Sequence, residues 1–140
     1  MVGTLGTSQS TALAELAGRE ALDLVILYGS RARGTGRPSS DTDLGILART
    51  GPIGAERMER LFAVLSQVTG WPDLHLVDLA RAPALLRFDA TQHGIVLYED
   101  RPGRFAEFRV HSWKQMLDDE IDFGRPGRVA TADALARWRG

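Results

Sequence analysis

LDLVILYGSRARGTGRPSSDTDLGIL, residues 22–47, is the stretch of sequence that decides the fold. It opens with an apolar run, Leu22–Tyr28, in which Asp23 is the one charged residue. An apolar run of this length that ends at a glycine predicts a buried strand. A Gly-Ser pair then predicts a sharp turn, and a polar loop rich in glycine, proline and serine leads to a second strand over Asp41–Leu47. The stretch therefore predicts two strands joined by a turn and a polar loop.

Two aspartates at the start of the second strand, Asp41 and Asp43, are separated by one residue. Because side chains along a strand alternate between faces, the two carboxylates are predicted to lie side by side. Two such charges repel unless a cation or donor compensates them, and Mg²⁺ prefers oxygen ligands. The turn at Gly29 and Ser30 is expected to present backbone N–H groups to a phosphate. A phosphate site beside an acid pair predicts chemistry on a nucleoside triphosphate.

The order of these features resembles the signature of a known superfamily. The chain has a strand, a Gly-Ser pair, ten further residues and then Asp-x-Asp. This order resembles the signature of the polymerase-β-like nucleotidyltransferases. More narrowly, the chain is similar to the minimal nucleotidyltransferase (MNT) proteins. The similarity lies in two segments, Gly29-Ser30-Arg31-Ala32-Arg33-Gly34 and Ser40-Asp41-Thr42-Asp43-Leu44. Those proteins pair with HEPN-domain toxins in toxin–antitoxin modules. The resemblance covers residues 12–123 and leaves the tail from about residue 124 unmatched.

The resemblance implies a Mg²⁺-dependent enzyme that transfers AMP from ATP to a hydroxyl group, expected to be a tyrosine of a HEPN ribonuclease toxin. Asp41 and Asp43 are then the expected metal ligands. The residues expected at the nucleotide are Gly29, Ser30, Arg31, Arg33 and Ser40. Two alternatives stay open at this point. One is an antitoxin that neutralises its toxin by binding alone, and the other is transfer to a small molecule such as an aminoglycoside, for which the chain lacks a second domain.

A third carboxylate is implied on the strand that follows the next helix, and here the sequence departs from the pattern. That strand is predicted over Asp73–Leu79, and the aligned position holds His75. Asp73 shares the face of His75 and is the first candidate for a third catalytic and metal-binding acid. Asp78, on the opposite face of a regular strand, is the second candidate, and no third acid is the remaining alternative. His75 itself is a poor Mg²⁺ ligand, so it is expected to act as a general base or to be a partly buried strand histidine.

The rest of the chain predicts one α/β domain over residues 1–140, with a small mixed sheet of about four strands flanked by helices. This α+β arrangement agrees with the core that the resemblance implies. A short fourth strand is predicted over Ile95–Glu99, and a final turn over Ala132–Trp138. Helices are predicted from Ser10 or Thr11 to Ala17, from Pro52 to Val68, from Ala82 to Gln92 and from Arg104 to Asp119.

Composition limits the other classes of function. The chain has 140 residues, of which 44% are hydrophobic and 25% charged, typical of a single soluble domain. A net charge of −1 argues against direct nucleic-acid binding. The sequence has no cysteine, which excludes disulfides and thiolate metal sites. No signal peptide or membrane-length apolar run is recognised, so no membrane association and a cytoplasmic location are expected.

Large apolar side chains near the end of the chain predict an interface. Four such residues are suited to anchor a complex with the toxin: Trp113, Met116 and Leu117 on the last helix, and Trp138 in the tail. Packing of the helix residues against the protein's own sheet is the alternative.

Overall fold

The computed structural model of the protein describes residues 5–29 and 42–122. This part contains the helices α1 (Thr7–Arg19), α2 (Ala55–Thr69), α3 (Ala84–His93) and α4 (Arg104–Asp122) and the strands β1 (Leu22–Tyr28), β2 (Thr42–Ala48), β3 (Leu74–Asp78) and β4 (Ile95–Glu99). Each of them corresponds to a predicted element, and the bounds of β1 and β4 are those predicted. The predicted turn over Ala132–Trp138 lies outside the described residues.

Three helices begin at residues other than those predicted. α3 begins at Ala84 rather than Ala82, after its N-cap Pro83, and α1 and α2 differ for local reasons. α1 begins at Thr7 because Gly6 is its N-cap, and the Gly6 N–H donates to Oε1 of Gln9 at 3.0 Å. α2 begins only at Ala55, with Gly54 as an extended N-cap. The residue before that cap, Ile53, is buried and donates its N–H to a carboxylate of β3, so the chain enters the helix in extended form.

The four strands form one mixed sheet, as the sequence predicts, and their order in the sheet is β3-β2-β1-β4. β1 is antiparallel to both of its neighbours, and β2 is parallel to β3. Because β1 runs opposite to β2, the carboxyl end of β1 lies beside the amino end of β2. The topology therefore brings Gly29 and Asp43 to the same end of the sheet, although a polar stretch separates them in sequence.

Helices cover both faces of the sheet. α1 and α2 pack on one face, where Leu13, Leu16, Leu61 and Leu65 meet alternate residues of β1 and β2. α3 and α4 pack on the other, in clusters that contain Leu24, Ile26, Tyr28, Leu79, Leu86 and Phe108. A strand buried on both faces reads as a continuous apolar run, which explains the composition of β1.

Asp23, the charged residue of that run, lies at a β-bulge near the start of β1. Its carboxylate accepts hydrogen bonds from Nε of Arg49 at 3.3 Å and from Nε of Arg104 at 3.2 Å. These contacts join β1 to the end of β2 and to α4. They lie at the end of the sheet opposite Gly29 and contribute to the fold.

Within the described residues, none of the helices is both long and apolar enough to cross a membrane.

Candidate active site

The candidate site lies where β1 ends and β2 begins. Tyr28 pairs with Asp43 across the antiparallel ladder, so Gly29 follows directly beside the Asp43 side chain. Several residues predicted for the site fall in the stretch between the two strands and lie outside the described residues: Ser30, Arg31, Arg33, Ser40 and Asp41. The described part of the site is therefore formed by Gly29, Asp43 and their neighbours.

Gly29 occupies a position that excludes a side chain. Its φ of +83° lies in the left-handed region, which favours glycine. A Cβ at this position would lie 2.4 Å from Oδ2 of Asp43 and 3.3 Å from its Cγ. Gly29 thus combines a left-handed backbone with a close approach to Asp43, and its predicted role at a phosphate stays a prediction. The close approach places the Asp43 carboxylate directly against the backbone at the end of β1.

His75 lies on the other side of Asp43. The parallel pairing of β2 with β3 sets Asp43 opposite His75, and Nδ1 of His75 is 3.2 Å from Oδ1 of Asp43. The histidine side chain is 55% exposed and that of Asp43 25%, so both are open to solvent and to ligands. The position at which a third acid was expected is thus adjacent to Asp43. The catalytic role of His75 stays a prediction.

The two acids considered for the third position have different surroundings. Asp73 is exposed and precedes β3, which begins one residue later than predicted. Its backbone carbonyl accepts a hydrogen bond from the Thr42 N–H at 2.9 Å, which ties the start of β3 to the start of β2. Its part in catalysis or metal binding stays a prediction.

Asp78 is buried and serves the fold. Its Oδ2 accepts from the Ile53 N–H at 2.8 Å and its Oδ1 from the Ala80 N–H at 3.1 Å. In the ladder it pairs with Ile46, three residues beyond Asp43 along β2, and so it belongs to the opposite face of the sheet. The structure does not bring Asp78 to the site.

Tyr28 is a neighbour of the site that sequence reasoning missed. It is buried among Val77, Leu86 and Ala90, and it is the cross-strand partner of Asp43. Burial, and to a lesser degree the negative charges of Asp43 and Asp89, raise the pKa of its hydroxyl group well above the ordinary value. The phenol therefore stays neutral beside the acid. The only sequence signal was its position as the last residue of β1, one residue before the Gly-Ser pair.

Two of the described residues have side chains that could contribute to a metal site. No group of three or more histidine, cysteine, aspartate or glutamate side chains within residues 5–29 and 42–122 is arranged to hold an ion. Asp43 and His75 are in contact and both carry atoms that can bind a metal. With the Asp43 carboxylate held against Gly29 and partly exposed, this pair could supply two of the ligands of a divalent cation.

Comparison with known proteins identifies the family. A family model described as polymerase β, nucleotidyltransferase, matches residues 12–102. The chain belongs to this nucleotidyltransferase family. Of the curated proteins, none matches the chain.

Solved structures share the fold of this nucleotidyltransferase. One, described as a toxin–antitoxin with AMP-PNP, has a TM-score of 0.69 at 22% identity and covers 81% of this chain and 91% of its own. A second, the tri-AMPylated HEPN toxin of Shewanella oneidensis in complex with MNT antitoxin, has a TM-score of 0.63 at 20% identity, covering 82% and 89%. A third, the toxin–antitoxin MntA-HepT, gives 0.63 at 20% identity, covering 82% and 90%. The predicted polymerase-β-like fold is confirmed.

Proposed function

We propose that this nucleotidyltransferase transfers AMP from ATP to a tyrosine hydroxyl of a HEPN-domain toxin and thereby acts as its antitoxin. The observation that carries the proposal is the Asp43 carboxylate held between the Gly29 backbone and His75, within a domain of the nucleotidyltransferase family. The structural relatives solved with AMP-PNP and with a tri-AMPylated HEPN toxin support ATP as the donor and such a toxin as the acceptor.

Each site residue has a distinct task in this proposal. Asp41 and Asp43 hold Mg²⁺, which when bound supplies charge stabilisation at the reacting phosphate. Gly29 allows the backbone at the end of β1 to lie against the nucleotide-binding region, since a side chain there would collide with Asp43. The other residues proposed to contact the nucleotide are Ser30, Arg31, Arg33 and Ser40.

The reaction forms one bond and breaks another at the α-phosphorus. The acceptor hydroxyl oxygen bonds to that phosphorus, pyrophosphate leaves, and the hydroxyl proton passes to a base or to water. The resulting negative charge on the toxin tyrosine would repel RNA phosphates, by the same logic as phosphorylation. Asp73 stays a candidate for the third acid, acting from the rim of the site.

A second function, neutralisation by binding alone, is favoured by one observation. The position expected to hold a third acid carries His75, which gives the site one carboxylate fewer than the pattern implies. A weakened or inactive site would still permit a stable complex with the toxin.

Label transfer separates the two functions. The protein is incubated with Mg²⁺, the toxin encoded beside its gene, and ATP labelled on either the α- or the γ-phosphate. AMP transfer predicts that the toxin takes up the α-label and not the γ-label, and that replacing its acceptor tyrosine with phenylalanine abolishes uptake. A toxin that is neutralised without taking up label would establish binding alone.

The Asp43→Asn variant tests the site itself. The rate of label transfer should fall at least about a hundredfold, because metal stabilisation contributes several kcal/mol to lowering the barrier. The fold should be retained, since the substitution removes only charge. Asp118→Asn, at an exposed position on α4, is the matched control and should transfer at the wild-type rate. Near wild-type transfer by both Asp43→Asn and Asp41→Asn would overturn the assignment.

A further inference from the structure

We propose that His75 is a metal ligand, and that Nδ1 of His75 and Oδ1 of Asp43 bind the same divalent cation. This pair is expected to favour Mn²⁺ over Mg²⁺. The inference deepens the proposed function and rests on it for the use of the ion in nucleotide chemistry. The binding of the ion by these two side chains can be tested without the reaction.

The separation of the two donor atoms suits a shared ion. Adjacent ligands of an octahedral cation with bonds of about 2.1 Å lie about 3.0 Å apart. Nδ1 of His75 and Oδ1 of Asp43 are 3.2 Å apart. Rotation of the two side chains could therefore direct both atoms at one ion without a change in the strand register.

The fold holds the two donors in this arrangement. Asp43 and His75 are direct partners in the parallel ladder, and the pairing continues for three further residue pairs to Ile46 and Asp78. Gly29 lies against Oδ2 of Asp43, the other oxygen of the carboxylate, which leaves Oδ1 on the side of the histidine. The pair is thus fixed by strand register and by the glycine contact rather than by a loop.

The exposure of the pair leaves coordination positions for other ligands. With 55% of the His75 side chain and 25% of the Asp43 side chain exposed, water or a phosphate oxygen can reach an ion between them. A catalytic metal site needs such open positions, whereas a structural site is closed by protein ligands.

The identity of the donors determines which ion is preferred. Mg²⁺ prefers oxygen ligands and six-coordinate geometry, whereas imidazole suits the first-row transition metals. Replacing a carboxylate with a neutral imidazole also removes a negative charge from the site. Both effects lower the affinity for Mg²⁺ more than the affinity for Mn²⁺, which accepts nitrogen and oxygen ligands.

Pulsed electron paramagnetic resonance of the full chain with Mn²⁺ alone tests the inference. Electron spin-echo envelope modulation detects ¹⁴N of a directly coordinated imidazole. We expect this coupling in the wild type and its loss in His75→Asp and His75→Gln. The chain has only three histidines, so His93→Asn and His111→Asn are matched controls that should keep the coupling.

Competition between the two ions gives the selectivity. We expect the wild type to bind Mn²⁺ on the order of tenfold more tightly than Mg²⁺, and His75→Asp to reduce that ratio on the order of tenfold. A wild-type spectrum without ¹⁴N coupling, or no Mn²⁺ binding, would overturn the inference and leave the contact as a hydrogen bond. If the ¹⁴N coupling is present but no label reaches the toxin with either ion, the proposed function is refuted. The inference that His75 and Asp43 bind a metal ion would still hold.

Discussion

Gly29 and Gly103 have the same left-handed backbone, with φ of +83° and +90°, but different surroundings. A Cβ on Gly29 would collide with the Asp43 carboxylate, whereas a Cβ on Gly103 would meet nothing within 4 Å. Substitution of Gly103 therefore tests the effect of backbone strain alone, whereas substitution of Gly29 adds the displacement of Asp43.

Alanine at each position gives a matched pair of variants. Both should lose about 1–2 kcal/mol of unfolding free energy, because both force a side chain into the left-handed region. Only Gly29→Ala displaces the Asp43 carboxylate, so only this variant should lose label transfer, by about tenfold or more for a misplacement near 1 Å. Urea unfolding and the transfer assay measure the two effects. Equal transfer by Gly29→Ala and Gly103→Ala would mean that the glycine contact has no role in the reaction.

At the level of single residues, local sequence predicted some features of the site and missed others. The end of β1 at Gly29 was predictable because its signal, an apolar run ending in Gly-Ser, lies within a few residues. The position of His75 at the site was implied by the family resemblance, which aligns it with the expected third acid, and its contact with Asp43 comes from the parallel pairing of β2 with β3. The neutral Tyr28 was not predictable in the same way, because its pKa depends on burial under α3 and on carboxylates from β2 and α3.

The helices and strands themselves were predictable because their signals are periodic and local. β1 and β4 have the predicted bounds, whereas the start of α2 depends on a hydrogen bond between Ile53 and Asp78, 25 residues apart. The role of Asp23 was likewise not predictable from local sequence, because its partner on α4, Arg104, is 81 residues away. Sequence alone gave Asp78 as a candidate for the site, and the structure assigns it to this long-range contact.

Glu20, in the turn between α1 and β1, links α1 to α2. Its carboxylate accepts a hydrogen bond from Nη2 of Arg60 at 2.8 Å and forms an ion pair with Nε of Arg57 at 3.6 Å. The Arg60 hydrogen bond, aided by the charge of both arginines, lowers the pKa of Glu20 below its ordinary value despite partial burial. Because the folded-state pKa is depressed, this stabilisation is present above the unfolded pKa and is lost as pH falls through the folded pKa.

Glu20→Gln tests this link between the two helices. At pH 7 the variant should be less stable by about 0.2–1 kcal/mol, the range of solvent-screened pairs, and the loss should shrink in high salt. Below the ordinary value of 4.5 the two proteins should converge in stability. Glu15→Gln, at an exposed position on α1, is the control and should match the wild type in urea unfolding. A difference that stays constant down to pH 3 would exclude an electrostatic origin.

The whole molecule exposes large apolar side chains on both of its helical faces. Phe62, on the face of α1 and α2, is 45% exposed. Val110 and Trp113 of α4, on the face of α3 and α4, are 50% and 48% exposed. Of the predicted anchors, Met116 and Leu117 are partly buried, and Trp138 lies outside the described residues.

The exposed tryptophan is part of a shallow pocket that one arginine, Arg109, also lines. A cavity of about 300 Å³ lies between α3 and α4 and is lined by Phe88, Gln92, Arg109, Val110 and Trp113. Fully desolvated tryptophans near the centre of an interface contribute the most to binding, and nearby arginines often contribute as well. The pocket is therefore the surface at which the proposed toxin complex is expected to be anchored.

Trp113→Ala and Phe62→Ala compare two equally exposed aromatic residues on opposite faces. Neither side chain is buried in the core, so both variants should keep the stability of the wild type within about 0.5 kcal/mol. If the toxin docks on the face of α3 and α4, Trp113→Ala should weaken the complex by about 2 kcal/mol, roughly 30-fold in Kd, while Phe62→Ala leaves the affinity unchanged. Isothermal titration calorimetry of each variant with the toxin measures the difference. Wild-type affinity for Trp113→Ala, or a larger loss for Phe62→Ala, would place the interface elsewhere on the molecule.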